Sequence, residues 1–129
     1  VAEGEMTCGD CHSAHGSAGP KQIRALSVNE LCLSCHADKR GPFLWEHTPV
    51  RENCLNCHEA HGSNNDKVLA AKRPYLCQRC HVATRHPSTM YDLPDLTNSS
   101  GNRSLNRSCT NCHPQIHGSN HPSGKYFTR

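Results

Sequence analysis

Long apolar stretches are missing from this sequence of 129 residues. No run approaches the roughly 18 residues that a membrane-spanning helix requires, so we predict no transmembrane segment. Aromatic residues make up only 5% of the sequence, and hydrophobic residues only 34%. A chain of this size and composition can bury only a thin core with its own side chains. A conventional globular fold, held together by side chains alone, is therefore not expected.

Cysteines outside one short motif are missing as well. All ten cysteines lie in five copies of Cys-x-x-Cys-His. Two thiols at this spacing can add to the two vinyl groups of one haem, and the histidine that follows binds the iron as its proximal ligand. The predicted thioether residues are Cys8, Cys11, Cys32, Cys35, Cys54, Cys57, Cys77, Cys80, Cys109 and Cys112. The predicted proximal ligands are His12, His36, His58, His81 and His113.

Three other uses of such a cysteine pair fit this sequence less well. Zinc sites usually combine two pairs, or one pair with two histidines, and need no histidine directly after each pair. A disulfide framework leaves that histidine unexplained. A thioredoxin-like redox motif occurs once, beside a βαβ pattern that this sequence lacks. We therefore predict five covalently bound haem c groups.

Five haems define the expected fold class, which is multihaem cytochrome c. We expect a mostly irregular chain with a few short α-helices, little or no β-sheet and a core formed by the haems, in a single pentahaem domain over residues 1–129. Without haem the chain should be largely unfolded, as other small metal-dependent domains are. The formal charge of +3 falls to about −2 when each ferric haem contributes about −1. A nucleic-acid partner is therefore not expected.

The five motifs are of two types, which alternate as A-B-A-B-A. The stretch Cys11–Ser17 nearly recurs as Cys57–Ser63, and it returns with one insertion as Cys112–Ser119. The type B motifs lie between these copies, at Leu31–Ala37 and Leu76–Val82. A two-haem unit thus repeats after 45 or 46 residues, which indicates a duplicated packing module.

Local signals predict only short elements. Ser27 and Glu30 form a capping-box pattern, so a helix should begin near Ser27 and carry the second motif. A second short helix is predicted at Lys67–Ala71. The composition from Pro87 to Asn106 is typical of a long surface loop, and the tail His121–Lys125 should be irregular and exposed.

Six of the 11 histidines remain for the distal positions of five irons. Imidazole is a good iron ligand, so axial ligation explains this surplus. The predicted distal ligands are His15, His47, His61, His86 and His117, with His121 as an alternative to His117. An iron with two histidines has no open position for a substrate. The pattern therefore favours an electron carrier over an enzyme, and no catalytic residue is predicted.

Chain geometry limits which haem each distal candidate can reach. His15 and His61 each follow a proximal histidine by three residues, too short a segment to pass around the macrocycle to its opposite face. Each should therefore bind the iron of a different haem, and the same holds for His86 and His117. His47 follows the preceding proximal histidine by eleven residues and can reach more freely.

Several stretches together resemble the periplasmic decahaem cytochromes of the MtrA/DmsE type, in particular their C-terminal half. The resemblance is carried by Glu30–Cys32, Lys39–Pro42, Leu44–Val50, Cys57–Ser63 and His117–Lys125. It implies a periplasmic electron wire that inserts into an outer-membrane β-barrel porin. The implied redox partners are an inner-membrane quinol dehydrogenase and an outer-membrane multihaem cytochrome or reductase. That family carries ten haems, so five motifs indicate a fragment, a natural half-length relative or a processed product.

We therefore predict electron transfer along five bis-histidine haems, as part of extracellular electron transfer from the periplasm to the outer membrane. A periplasmic location follows because haem c is attached after export, so a signal is expected to have preceded Val1. The alternative is a soluble periplasmic pentahaem shuttle that donates electrons to a terminal reductase. An enzyme with one open iron and a stacked cytochrome filament are two further hypotheses.

Overall fold

The structure is a computed structural model that describes residues 4–81 and 108–128. Within these ranges it contains four short α-helices, α1 (Cys8–Cys11), α2 (Val28–Cys35), α3 (Thr48–Glu52) and α4 (Tyr75–Gln78). Single 3-10 turns lie at Pro20–Gln22, Ala37–Lys39, Cys54–Asn56, Asp66–Val68, Cys109–Asn111 and Gly124–Tyr126. Strands are absent from the described ranges, where only three isolated β-bridges occur. The predicted fold class, a mostly irregular chain with few short helices, is confirmed; the loop predicted from Pro87 to Asn106 lies outside the described residues.

The polypeptide core is very small. Ile23 and Leu69 are the only buried hydrophobic residues in the described part of the chain, and no side chain there is fully buried. Other large apolar side chains, such as Leu26, Leu44 and Tyr75, lie largely exposed. The side chains alone therefore provide the thin core that the composition predicts.

Helix α2 begins where the sequence predicts. Ser27 is its N-cap, and the Ser27 hydroxyl accepts a hydrogen bond from the backbone N–H of Glu30 at 3.2 Å. In the first turn, Asn29 donates hydrogen bonds to two carbonyls of α3. The Asn29 side chain also accepts one from the backbone N–H of Cys54 at 2.8 Å. One side chain thus holds the second motif against the third.

Each type A motif is followed by a turn that returns the chain to its proximal histidine. His12 forms a bridge with Ile23, and His58 forms one with Leu69. Matching backbone hydrogen bonds of 2.8–2.9 Å flank both bridges. The third type A motif has a longer return, which is closed by a hydrogen bond from the backbone N–H of Gln115. The same backbone arrangement therefore recurs at corresponding positions of the repeat.

The helix predicted at Lys67–Ala71 is wrong. The chain forms only a 3-10 turn at Asp66–Val68, in which Lys67 and Val68 have φ values of +56° and +48°. Left-handed residues cannot continue a right-handed helix. Leu69 then leaves the turn in an extended conformation to form its bridge. The long-range pairing, which no local pattern records, overrides the local helix signal.

Two distant segments pair to form a structure that we call the clasp, residues 43–47 against residues 116–121. Trp45 and Ser119 exchange two backbone hydrogen bonds of 2.9 Å. The indole N–H of Trp45 donates to the carbonyl of His121, also at 2.9 Å. The tail His121–Lys125 is exposed as predicted, except for Gly124, which is buried against Ser119.

Candidate haem sites

All ten cysteines lie in the described part of the chain, and all ten are free thiols. None of them is fully buried. Among the described residues, no three His, Cys, Asp or Glu side chains converge as a protein-bound zinc ion would require. In this part of the chain the cysteines thus lie as separate thiols, two in each motif.

The proximal histidines of the type A motifs share one hydrogen bond. Nδ1 of His12 lies 3.1 Å from the carbonyl oxygen of Lys21, and Nδ1 of His58 lies 3.0 Å from that of Lys67. Nδ1 of His113 lies 2.5 Å from the carbonyl oxygen of Tyr126. A carbonyl can only accept, so Nδ1 must carry the proton and Nε2 is left with its lone pair. Metal-bound histidines are oriented in this way.

Left-handed residues aim these carbonyls at the histidine rings. Lys21 and Lys67 have φ values of +50° and +56°, and Phe127, next to the third acceptor, has +56°. A non-glycine residue in this region is uncommon and costs about 1–3 kcal/mol. Such strain at equivalent places points to a functional constraint on the turn. The sequence does not reveal these acceptors, because every residue has a backbone carbonyl. The only signal was that Lys21 and Lys67 each follow their proximal histidine by nine residues.

Three pairs of histidine rings face each other across the structure. The ring centres of His12 and His61 are 6.0 Å apart with an interplanar angle of 21°. Those of His58 and His117 are 6.3 Å apart at 16°, and those of His47 and His81 are 6.1 Å apart at 23°. Each pair joins one predicted proximal ligand to one predicted distal ligand from another part of the chain.

The spacing of these pairs fits a haem iron between the two rings. A metal–imidazole bond is about 2 Å long, and the ring centre lies about 1.2 Å beyond the bound nitrogen. The centres of two axial imidazole rings on one iron are therefore about 6.4 Å apart. Direct face-to-face stacking would bring the ring centres closer together, because offset-stacked rings meet from about 4.5 Å. The gap between the rings is therefore the size that an iron and its two nitrogen bonds require.

Two distal candidates, His47 and His117, lie within the clasp. Nδ1 of His47 lies 3.0 Å from the carbonyl oxygen of Ile116, which leaves Nε2 with its lone pair, and the ring centres of His47 and His81 are 6.1 Å apart. Burial lowers the pKa of His47, and burial followed by the charge of Lys39 lowers the pKa of His117. Both rings are therefore held in the neutral form, which is the form that binds a metal.

His121 is held in a different way from His117. The backbone N–H of Ser123 donates to Nδ1 of His121 at 3.2 Å. Because Nδ1 accepts, the neutral ring carries its proton on Nε2, which then has no lone pair for iron. Among the described residues, His121 has no histidine ring opposite it, whereas His117 faces His58. His117 thus faces a predicted proximal ring among the described residues, and the choice between His117 and His121 as the iron ligand stays a prediction.

Thiols of different motifs also meet. A hydrogen bond links Cys32 to Cys54, and burial followed by this neighbour raises the pKa of Cys32. A second such pair joins Cys77 and Cys109, where burial and then the neighbouring thiol raise the pKa of Cys77 to about 11. Burial and then the nearby Cys80 thiol raise the pKa of Cys57. The second to fifth motifs therefore adjoin one another in chain order.

Four predicted ligands lie outside the three pairs, namely His15, His36, His86 and His113. Neither His15 nor His36 stacks on another ring in the described ranges, and both are exposed. His86 lies outside the described residues.

The sequence model of the family described as the doubled CXXCH motif matches residues 1–41 and 47–86, more than half of the chain. The chain belongs to this family. Each match spans one type A and one type B motif, so the doubled motif coincides with the two-haem unit of the repeat.

A relative supports the same conclusion. The multiheme cytochrome MtrA of Shewanella baltica (strain OS185) is 52% identical over 128 residues, which cover 97% of this chain. The chain spans only 38% of the length of that protein. The predicted resemblance is confirmed, and this chain is a multihaem c-type cytochrome with covalently bound haem. Among the described residues, no helix has the length and apolar character needed to cross a bilayer.

Proposed function

We propose that this chain binds five haem c groups and passes electrons along them between the periplasm and the outer membrane. The observation that carries the proposal is the set of three facing histidine pairs at 6.0, 6.1 and 6.3 Å. In these pairs both axial positions of an iron are filled by protein. Haem held in this way exchanges electrons and has no vacant position for a substrate, which favours a carrier over an enzyme.

The axial ligand pairs are then His12 with His61, His58 with His117, and His81 with His47. The remaining irons are those bound by His36 and His113, and His15 and His86 stay predicted distal ligands from the sequence. The thioether bonds are assigned to the ten motif cysteines, two for each haem. These roles join segments that are far apart in sequence, so haem binding fixes the tertiary structure.

The contacts between motif cysteines support an order for the electron path. Cys32 adjoins Cys54, Cys57 adjoins Cys80, and Cys77 adjoins Cys109. Each cysteine carries one edge of its haem, so neighbouring macrocycles come close at these edges. Electrons should therefore pass from the second to the fifth haem in chain order, with no long step between them.

The location and partners follow from the resemblance to MtrA. We infer a periplasmic protein that associates with the outer membrane. Its donor would be an inner-membrane quinol dehydrogenase, and its acceptor an outer-membrane multihaem cytochrome or a reductase. A β-barrel porin would hold the wire in the membrane. The chain spans 38% of its relative, so these roles belong to the whole assembly in which it works.

Haem-stained electrophoresis of native-cell fractions tests this proposal. We expect a haem band well above about 17 kDa, the mass of the 14.2 kDa chain with five haems, that travels with a β-barrel protein when the outer membrane is solubilised in detergent. A soluble band near 17 kDa, at about 0.6 kDa for each haem, would instead establish the periplasmic shuttle and remove the porin from the model.

Carbon monoxide separates the carrier from an enzyme. Reduced haem binds this gas only where a position on the iron is open, so the native holoprotein should bind almost none. One equivalent at native pH would identify an iron that can meet a small substrate, and it would overturn the carrier assignment at that haem.

A further inference from the structure

The facing histidine pairs follow a directional rule. In the second and third type A motifs, the histidine that comes three or four residues after the proximal histidine pairs with the proximal histidine of the type A motif before it. His61, which follows His58, pairs with His12 of the first type A motif. His117, which follows His113, pairs with His58 of the second. The second and third type A motifs therefore each supply the distal histidine of the type A haem that precedes them in the chain.

The type B motifs act in the opposite direction. His47, which follows the type B motif at His36, pairs with His81 of the next type B motif. Consecutive two-haem units therefore exchange ligands reciprocally. His47 of the first unit pairs with His81 of the second unit, and His61 of the second unit pairs with His12 of the first.

The same rule applied to the first unit leaves two positions without partners among the described residues. His15 would face a type A haem that comes before Cys8, and no such motif lies in the 129 residues. The iron at His36 would receive its distal histidine from a type B segment of the same missing unit. His15 and His36 are both exposed and belong to none of the three pairs; His121 shares these features, but its Nδ1 accepts from Ser123.

His15 nevertheless has the local conformation of a working ligand. The backbone N–H of Gly16 donates to Ser13 at 3.2 Å, as that of Gly62 does to Glu59 at 3.2 Å. Gly16 and Gly62 have φ values of +107° and +116°. His15 and His61 thus occupy the same turn. The His61 ring pairs with His12 in this chain, whereas His15 pairs with no ring among the described residues.

We propose that His15 and the haem at His36 form a ligand-exchange junction with a further haem unit outside residues 1–129. His15 binds the iron of a haem c in that unit, and the unit returns a histidine to the iron held by His36. The inference rests on the proposed function, because it assumes that the facing pairs hold haem iron. The further unit is either another part of the same polypeptide or a second copy of this chain.

The test replaces His15 in the holoprotein purified from its own cells. His15→Ala should open one haem, so that carbon monoxide binding rises from none to one equivalent per polypeptide. Brief peroxide treatment then damages the open haem. Each haem stays covalently attached to its own peptide, so mass spectrometry of the peptides identifies which motif holds the damaged one. His15→Met, which retains a weak ligand, guards against a general loss of folding.

The position of the damaged haem decides between the sources. Damage on a peptide from outside residues 1–129 places the further unit in the same polypeptide. Damage at Cys109–His113, with a native mass of more than one chain, places it in a second copy. Damage at Cys32–His36, or at any motif of a single isolated chain, would overturn the junction.

His61→Ala is the matched control, because its turn is the same and its partner lies within the chain. It should open the haem at Cys8–His12 in every case. If His61→Ala opens no haem, the axial assignments of the proposed function fail. If only the His15 result differs from expectation, the proposed function stands and the junction alone is removed.

Discussion

The hydrogen bonds of single ring nitrogens separate the predicted proximal ligands from His121 in this protein. His12, His58 and His113 each have Nδ1 against a backbone carbonyl, which leaves Nε2 for iron. Nδ1 of His121 instead accepts from the N–H of Ser123. Residue type is therefore not sufficient to identify a ligand here, and the hydrogen-bond partner of the other ring nitrogen decides the role.

His117→Ala and His121→Ala should consequently have different effects. We expect His117→Ala to open the iron at His58, which gives a high-spin haem and one equivalent of carbon monoxide binding in the reduced protein. His121→Ala should leave the spin state unchanged, because its backbone carbonyl still accepts from Trp45. Optical and magnetic circular dichroism spectra of the two holoproteins measure this. The reverse result would assign His121 as the ligand and contradict the tautomer argument.

Among the short elements, the strained turn after each type A motif has the clearest function. Its carbonyl fixes the proximal ring, and its left-handed residues direct that carbonyl. We expect Lys67→Pro to break this arrangement, because proline holds φ near −65° whereas Lys67 has +56°. The free energy of unfolding of the holoprotein should fall by more than 1 kcal/mol, and the reduction potential of the haem at His58 should change.

The matched variant at this position is Lys67→Gly. Glycine adopts the left-handed region freely, so the turn and its hydrogen bond to His58 should persist. Denaturant unfolding and a spectroscopic redox titration compare the two variants. Equal losses in both would mean that the lysine side chain, and not the backbone conformation, supports the site.

The sequence predicts those structural elements whose formation depends only on residues close together in the chain. The cap at Ser27 and the helix that carries the second motif follow from a four-residue pattern, and both are confirmed. The helix expected at Lys67–Ala71 is wrong because Leu69 pairs with a residue eleven positions away. The motifs also identify the cysteines and proximal histidines. Which distal ring faces which proximal ring depends on contacts across the whole chain, and no spacing rule in the sequence records them.

Over the whole molecule, the clasp joins the segment after the second motif to the segment after the fifth. Within the clasp, Nδ1 of His47 lies against the carbonyl oxygen of Ile116, and His117 is the next residue in the chain. Trp45→Phe should remove one hydrogen bond to His121 while keeping an aromatic ring. We expect a loss of about 1 kcal/mol in the free energy of unfolding, measured by denaturant titration. Tyr75→Phe, at a largely exposed ring, is the control and should change little; equal effects would show that the clasp adds no stability.

Removal of haem tests what holds the molecule together. Only Ile23 and Leu69 are buried hydrophobic residues among those described, and side-chain burial of this extent cannot offset the conformational entropy of the ordered backbone. The chain produced without haem, and kept reduced so that its ten cysteines cannot form disulfides, should therefore be largely unfolded. Far-ultraviolet circular dichroism and amide hydrogen exchange should show little helix and no protected core, whereas the holoprotein unfolds cooperatively. A cooperative thermal transition in the haem-free chain would contradict this, because it would mean that the polypeptide folds before its irons are bound and that the facing histidine pairs are preformed sites.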